Sequence, residues 1–244
     1  MEKLKADLHL HTAEDPYDLI RWDARRLIDE GARKGFRVLA ITNHLTVCYS
    51  RELAEYAARR DILLIPGCEG LVGRRHILLL NPTPEAAACR NFDELRTQRR
   101  KNHPMAVIAP HPFYPSPASL RGWLYRYSDV FDAVEWCSFY FKWLNFNCFG
   151  KRASRILDLP MVGSSDCHYP WQFGTTYSII EAEPTVEGVI EAIRAGRCRV
   201  ETRPFKLNNF TFQFVLRGLG VGEQFLWGKD WSPDRELWEI QSGV

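Results

Sequence analysis

Residues 4–44 read LKADLHLHTAEDPYDLIRWDARRLIDEGARKGFRVLAITNH, and they carry the pattern that sets the fold. The apolar run from Leu4 breaks into polar chain at Asp7-Leu-His-Leu-His-Thr12, as a strand does at its end. Ile20, Ala24, Leu27, Ile28 and Gly31 then recur at helical spacing, and Gly35 supplies a stop signal. A second apolar run over residues 37–42 ends in Asn43-His44. Strand, helix, strand is a βα unit, and units of this length imply a parallel sheet or barrel.

The alternation continues. Further candidate strands cover residues 62–68, 76–80, 105–109, 133–137, 161–164 and 177–180. Near residue 185, Thr185 can cap a helix that aligns Val186, Val189, Ile190 and Ile193, with Gly196 closing it. After about Arg203 the character changes: Phe210, Phe212 and Phe214 alternate with polar residues, and Trp227, Trp231 and Trp238 follow in a turn-rich tail. The expected organisation is one barrel over residues 1–203 and an appendage over 204–244, packed on the barrel or at a dimer interface.

Composition excludes several classes. Hydrophobic residues make up 45% and charged residues 25% of the 244, the balance of a globular protein. A net charge of +2 gives no argument for a polyanion-binding surface. The longest apolar stretches, about six or seven residues, fall short of the ~20 needed to cross a bilayer. The N-terminus leads into a strand rather than an apolar signal core, so a cytoplasmic location is expected. Seven cysteines with no CxxC pair argue against a disulfide framework and a zinc ribbon.

The histidines carry the chemistry. On a strand, residues i and i+2 share a face, so His9 and His11 aim at one spot, as a metal site requires. Asp166 and His168 repeat that spacing in Gly163-Ser-Ser-Asp-Cys-His168. Between them come Ile41-Thr-Asn-His44, Pro66-Gly-Cys-Glu69, the strand bearing His76, and Ala109-Pro-His-Pro112. Each sits at or just past a candidate strand end, where βα barrels build their active sites. Imidazole and carboxylate gathered there suit zinc, manganese or iron. Glu69 stands in an apolar neighbourhood, and a buried carboxylate needs a cation or strong donors. Cys68 and Cys167 neighbour these residues but should face the other way. A single strand-end histidine is ordinarily a hydrogen-bonded structural residue, and His103 is read so.

The ordered set DLHLHT, ITNH, PGCE, HPF and GSSDCH resembles the signature of the PHP (polymerase and histidinol phosphatase) superfamily over about residues 6–200. The resemblance implies an α/β fold, a distorted TIM-like (β/α)7 barrel holding two or three divalent ions at the strand C-termini. It implies that His9, His11, Glu69 and Asp166 hold one ion, and that Glu69 bridges to a second held by His76 and His111. A third would take His44, His168 and a loop ligand, with Asp15 the first candidate and Glu14 and Asp18 alternatives. Asn43 replaces the family's more usual Asp; it is expected to orient the adjacent imidazole and to weaken the third ion's site.

The implied activity is hydrolysis of a phosphate ester by a metal-bridging hydroxide, with no protein nucleophile; no serine sits in a Gly-x-Ser-x-Gly elbow. Arg74, two residues before His76, and Lys142, within an aromatic run, are the candidate phosphate-binding cations. The expected partner is a small phosphorylated metabolite, a nucleotide or a short nucleic acid, with no membrane and a homo-oligomer conceivable. Two rival readings remain. An amidohydrolase also opens on His-x-His but normally adds a bridging lysine, which no candidate strand supplies here. A non-catalytic PHP-like regulatory or structural module would be expected to have lost several ligands.

Overall fold

A computed structural model describes residues 1–101 and 103–205. The strands are β1 (Glu2–Leu10), β2 (Val38–Ile41), β3 (Leu63–Val72), β4 (Arg75–Leu80), β5 (Ala106–Ala109), β6 (Ala133–Cys137), β7 (Met161–Ser164), β8 (Thr176–Ala182) and β9 (Cys198–Thr202). The helices are α1 (Ala24–Arg33), α2 (Arg51–Ala58), α3 (Pro84–Ala87), α4 (Phe92–Arg99), α5 (Gly122–Arg126), α6 (Asn147–Leu157) and α7 (Val186–Arg194). One sheet runs β7-β6-β5-β4-β3-β2-β1-β8-β9 and curls into a nearly closed barrel. This is the expected α/β barrel class, distorted further than a (β/α)7 count allows, with nine strands among the described residues.

The extra distortion has local causes. β3 and β4 are joined by only Gly73 and Arg74, both at positive φ (56° and 62°). Two residues cannot make a crossover, so β4 pairs antiparallel to β3 as a hairpin. β4–β5, β1–β8 and β8–β9 are also antiparallel, while β1–β2, β2–β3, β5–β6 and β6–β7 are parallel.

Closure happens at a seam between β7 and the β1–β8 pair. Gly163 N–H donates to Ser178 Oγ (2.8 Å), and Ser178 Oγ donates back to Gly163 O (3.0 Å). His11 N–H donates to Cys167 O (3.1 Å), and Ser165 N–H to Asp7 Oδ1 (3.0 Å). Gly163 is required there, because a Cβ would lie 2.7 Å from Tyr177 O.

Three apolar clusters fix the layers. Leu4, Ala6, Leu8, Ile65, Leu78, Leu80, Ile108 and Val162 fill the barrel, and α7 plugs one end with Val189, Ile190 and Ile193. Thr185 caps α7 as expected, accepting from Gly188 N–H (3.1 Å). Outside, Leu27 and Ile28 of α1 cover Leu39 and Ile41, while Leu95, Leu124 and Ala153 cover Leu79, Val107 and Val134. α1 starts at Ala24, capped by Asp23, so Ile20 is buried in the preceding loop rather than on the helix. Among the described residues no helix is long and apolar enough to cross a membrane. Phe205 N–H donates to Tyr140 O (2.8 Å). The expected phenylalanine strand and tryptophan tail lie outside the described residues.

Candidate metal centre

β1 delivers two imidazoles to the rim by shifting register. Leu4, Ala6 and Leu8 face the interior, and a shift between Asp7 and Leu10 then turns His9 and His11 the same way. β3 delivers Glu69 on the face it shares with Ile65, four residues back along the strand. The hairpin places His76 opposite Leu71. His76 is therefore near the start of its strand, not the end, and reaches the same rim because β4 runs backwards. His44, His111, Asp166 and His168 follow β2, β5 and β7 in the rim loops. His111 (φ 26°) and Asp166 (φ 50°) occupy the left-handed region, a conformation that costs about 1–3 kcal/mol and concentrates at functional sites.

Glu69 lies at the middle of the cluster. Its Oε2 is 3.3 Å from His9 Nε2, 3.4 Å from His11 Nε2 and 3.1 Å from His44 Nε2. Its Oε1 is 2.8 Å from His76 Nδ1 and 3.2 Å from His111 Nε2. Asp166 Oδ1 is 3.4 Å from His9 Nε2, 3.5 Å from His11 Nε2 and 3.5 Å from His168 Nδ1. His9 Nε2, His11 Nε2 and His76 Nδ1 are buried without a hydrogen-bond partner despite this crowding. They gather beside the Glu69 and Asp166 carboxylates. That is the donor arrangement a divalent cation fits. Ligating atoms within 4.8 Å of one another form four overlapping triplets: His9/His11/Asp166, His11/His44/Glu69, Glu69/His76/His111 and His9/His111/Glu135.

The rim's far side differs from the sequence expectation. Asp15 is buried and saturated: it accepts from His44 N–H (2.9 Å), Tyr17 N–H (2.9 Å) and Asp18 N–H (3.2 Å), and contacts His11 Nδ1 and His44 Nδ1 at 2.9 Å each. It orients two imidazoles from behind. Asp18 instead faces the cavity, 2.9 Å from His168 Nε2 and 3.8 Å from His44 Nδ1. Glu14 accepts from Ala24 N–H (3.1 Å) at the start of α1, away from the cluster. Asn43 accepts from Thr12 N–H (2.9 Å) and donates to Thr12 Oγ1 (3.0 Å). Its short amide thus ties the loop after His11 to the end of β2.

Neither predicted cation lines the cavity. Arg74 sits in the hairpin turn, and its positive φ removes the extended geometry that would have put it on His76's face. Lys142 is exposed on the loop after β6. Cys68 and Cys167 pack into the outer layers, as expected, and His103 contacts Asn81 O at 2.9 Å away from the site.

Glu135 escapes the sequence reading altogether. It is fully buried on β6, with Oε1 2.8 Å from His9 Nδ1, and Oε2 accepts from His111 N–H at 2.8 Å. One carboxylate thereby fixes a ring on β1 and a strained peptide after β5. Its signal was the one that singled out Glu69: an acid inside an apolar run, here Ala133-Val-Glu-Trp-Cys137.

Charge in the cluster is tightly balanced. Burial opposes charging of His9, but Asp166, Glu135 and Glu69 overcome it and hold the imidazole well above its usual range. Burial is likewise overcome at His11 by Asp15, Asp166 and Glu69; at His44 it is overcome chiefly by Glu69, and the His44 imidazole rises to about 10. Burial would raise Glu69 and Asp166; the surrounding imidazoles instead hold both well below the carboxylate range. His76 is the exception, lowered because burial outweighs Glu69. Burial pushes Asp7, beneath the cluster, up to about 7.

Residues 146–198 match the family model described as PHP-associated. No curated protein matches the sequence. A two-domain Bacteroides vulgatus protein containing a predicted PHP-like metal-dependent phosphoesterase superposes with TM-score 0.63 at 20% identity, over 83% of this chain and 65% of that one. The chain thus spans less than two thirds of that protein. PsfC from Pseudomonas syringae gives 0.62 at 16% identity, over 90% and 99%. An amidohydrolase from Chromobacterium violaceum, solved with sulfate and no metal, gives 0.52 at 19%, over 84% and 99%.

Proposed function

We propose that this chain, which matches a PHP-associated family model over residues 146–198 and shares its barrel with a protein containing a predicted PHP-like phosphoesterase, is a metal-dependent hydrolase of phosphate esters. Its substrate would be a small phosphorylated metabolite or nucleotide. The observation that carries the reading is the gathering of six imidazoles with Glu69, Asp166 and Asp18 in one cluster, four of those imidazoles lining a cavity, with three imidazole nitrogens buried and unpartnered. We assign His9, His11, Glu69 and Asp166 to a first ion, Glu69, His76 and His111 to a second, and His44, His168 and Asp18 to a third. Zinc, manganese and iron all suit this donor set. Bound there, such ions lower the pKa of water, polarise phosphoryl oxygens and stabilise a leaving oxygen.

The chain's own residues supply position and charge. Glu135 holds the His9 ring, and Asp15 the His11 and His44 rings, so that each presents its other nitrogen to the cavity. Glu69 would contribute one oxygen to the set with His9 and His11 and the other to the set with His76 and His111.

Elemental analysis of the purified protein and a screen of phosphorylated metabolites with added Mn²⁺ or Zn²⁺ test this. Two or three bound ions per chain and turnover of at least one ester are expected. A metal-free protein inert to every ester after Mn²⁺ addition sinks the proposal. Turnover of amides or lactones in place of esters would favour the amidohydrolase reading. Metal binding without any turnover would favour a non-catalytic module.

A further inference from the structure

The cavity has a volume of about 460 Å³, and the metal cluster accounts for one side of it. The other side is built from Tyr17, Tyr114, Pro115, Pro117, Ala118 and Phe139, with Ser116 its one hydroxyl outside the two tyrosines. Tyr17 meets the His44 ring edge-on at 6.5 Å and 78°, and Tyr114 meets the His111 ring at 6.1 Å and 73°. The Tyr114 hydroxyl is turned into the protein, donating to Phe139 O and accepting from Asn147 Nδ2 (3.2 Å). What it offers the cavity is ring carbon.

This wall is held in place from behind. Arg75 donates to Pro117 O and to Ser119 O (3.1 Å), and His76 N–H donates to Ala118 O (2.9 Å). No lysine or arginine is among the described residues that line the cavity. The carboxylates facing the cavity are Asp18, Glu69 and Asp166. Two or three divalent ions beside them match one phosphoryl group in charge. A second anion on the substrate would meet aromatic carbon, proline and Asp18, and an unpaired charge is strongly penalised when desolvated. A flat neutral ring meets complementary faces already in place.

We infer that the wall formed by Tyr17, Tyr114, Pro115, Pro117, Ala118 and Phe139 is a subsite for an uncharged planar ring, selecting monophosphate esters whose organic part is aromatic and carries no second anion. The inference rests on the phosphoester reading above. The reaction it refines is water adding to phosphorus as the ester P–O bond breaks, with the leaving oxygen taking a proton.

The test uses the full chain loaded with Mn²⁺. Turnover of 4-carbamoylphenyl phosphate is compared with that of 4-carboxyphenyl phosphate, a near-isosteric pair differing by one charge. Calorimetry compares binding of the matching benzylphosphonates, and of benzylphosphonate against cyclohexylmethylphosphonate. The neutral ester is expected to have at least a tenfold higher kcat/KM, with a similar ratio in Kd, and the flat ring to bind at least threefold tighter than the cyclohexyl one. Phe139→Ala should narrow the ring preference. Ser116→Lys, at the wall's edge, should raise kcat/KM for the carboxylate ester severalfold. Esters turned over with a ratio near one or reversed, or a cyclohexyl group bound as well as the ring, overturn the subsite alone. No ester turned over by the loaded protein overturns the phosphoester reading instead.

Discussion

Replacing Glu135 with Gln isolates the geometry behind the proposed centre while changing a single atom. The carboxylate uses both oxygens as acceptors, at 2.8 Å from His9 Nδ1 and 2.8 Å from His111 N–H. An amide has one acceptor and one donor. If its oxygen faces His9, its NH₂ meets the His111 N–H; if it flips, the NH₂ meets His9 Nδ1, which must carry hydrogen for Nε2 to ligate. Either way one charge-assisted hydrogen bond, about 1.5–3 kcal/mol, is lost and two donors face each other. Loss of such a partner behind a ligand typically weakens metal binding about 10–100-fold. The assay is Zn²⁺ affinity by competition with a chelating dye, with circular dichroism to confirm folding. Because Glu135 supports residues assigned to two ions, the two tightest binding steps should both weaken. A folded E135Q protein that binds zinc with unchanged affinity and stoichiometry would refute the argument.

Four further outcomes follow from the structure. Metal affinity should fall as pH falls, by about tenfold per unit for each proton displaced, because His9, His11 and His44 are held protonated above their usual range and must lose protons to ligate. In metal-free protein the raised His44 imidazole contributes stability that is complete below about pH 6.5 and lost as pH rises towards about 10, and His9 and His11, also raised, act in the same direction, so its Tm should decline over that window; a flat Tm there contradicts the assigned charge states. Asp18→Asn should reduce bound metal by one ion in elemental analysis, whereas Asp15→Asn, which disturbs two imidazoles, should cost more than one. Gly163→Ala should destabilise the protein by about 1–3 kcal/mol, because its Cβ would press on Tyr177 O at 2.7 Å across the closure seam, and a calorimetric Tm lowered by several degrees is expected.

Local pattern made much of this fold readable. The apolar periods of β1, α1 and β2 lie within one short stretch, and Thr185 caps α7 where the sequence put it. The hairpin was also locally encoded, yet its sense was missed: Gly73 and Arg74 both take positive φ, a choice open to many loops that only pairing with β3 fixes here. That turn reversed β4 and removed Arg74 from the face it was expected to share with His76.

The sequence by itself determined which donors exist and which of them travel in pairs. His9 with His11, and Asp166 with His168, are spaced so that one backbone segment carries both to one place. Tertiary structure decided which carboxylate does what. Asp15 and Asp18 are equivalent by composition and nearly so by position, but backbone N–H groups and two imidazoles saturate the first while the second faces His168. Glu135 lies 126 residues from the ring it holds. Its role depends on β6 closing beside β5 and on β7 reaching the far edge of β1. No spacing along the chain encodes that contact, because the barrel's curvature brings the two together.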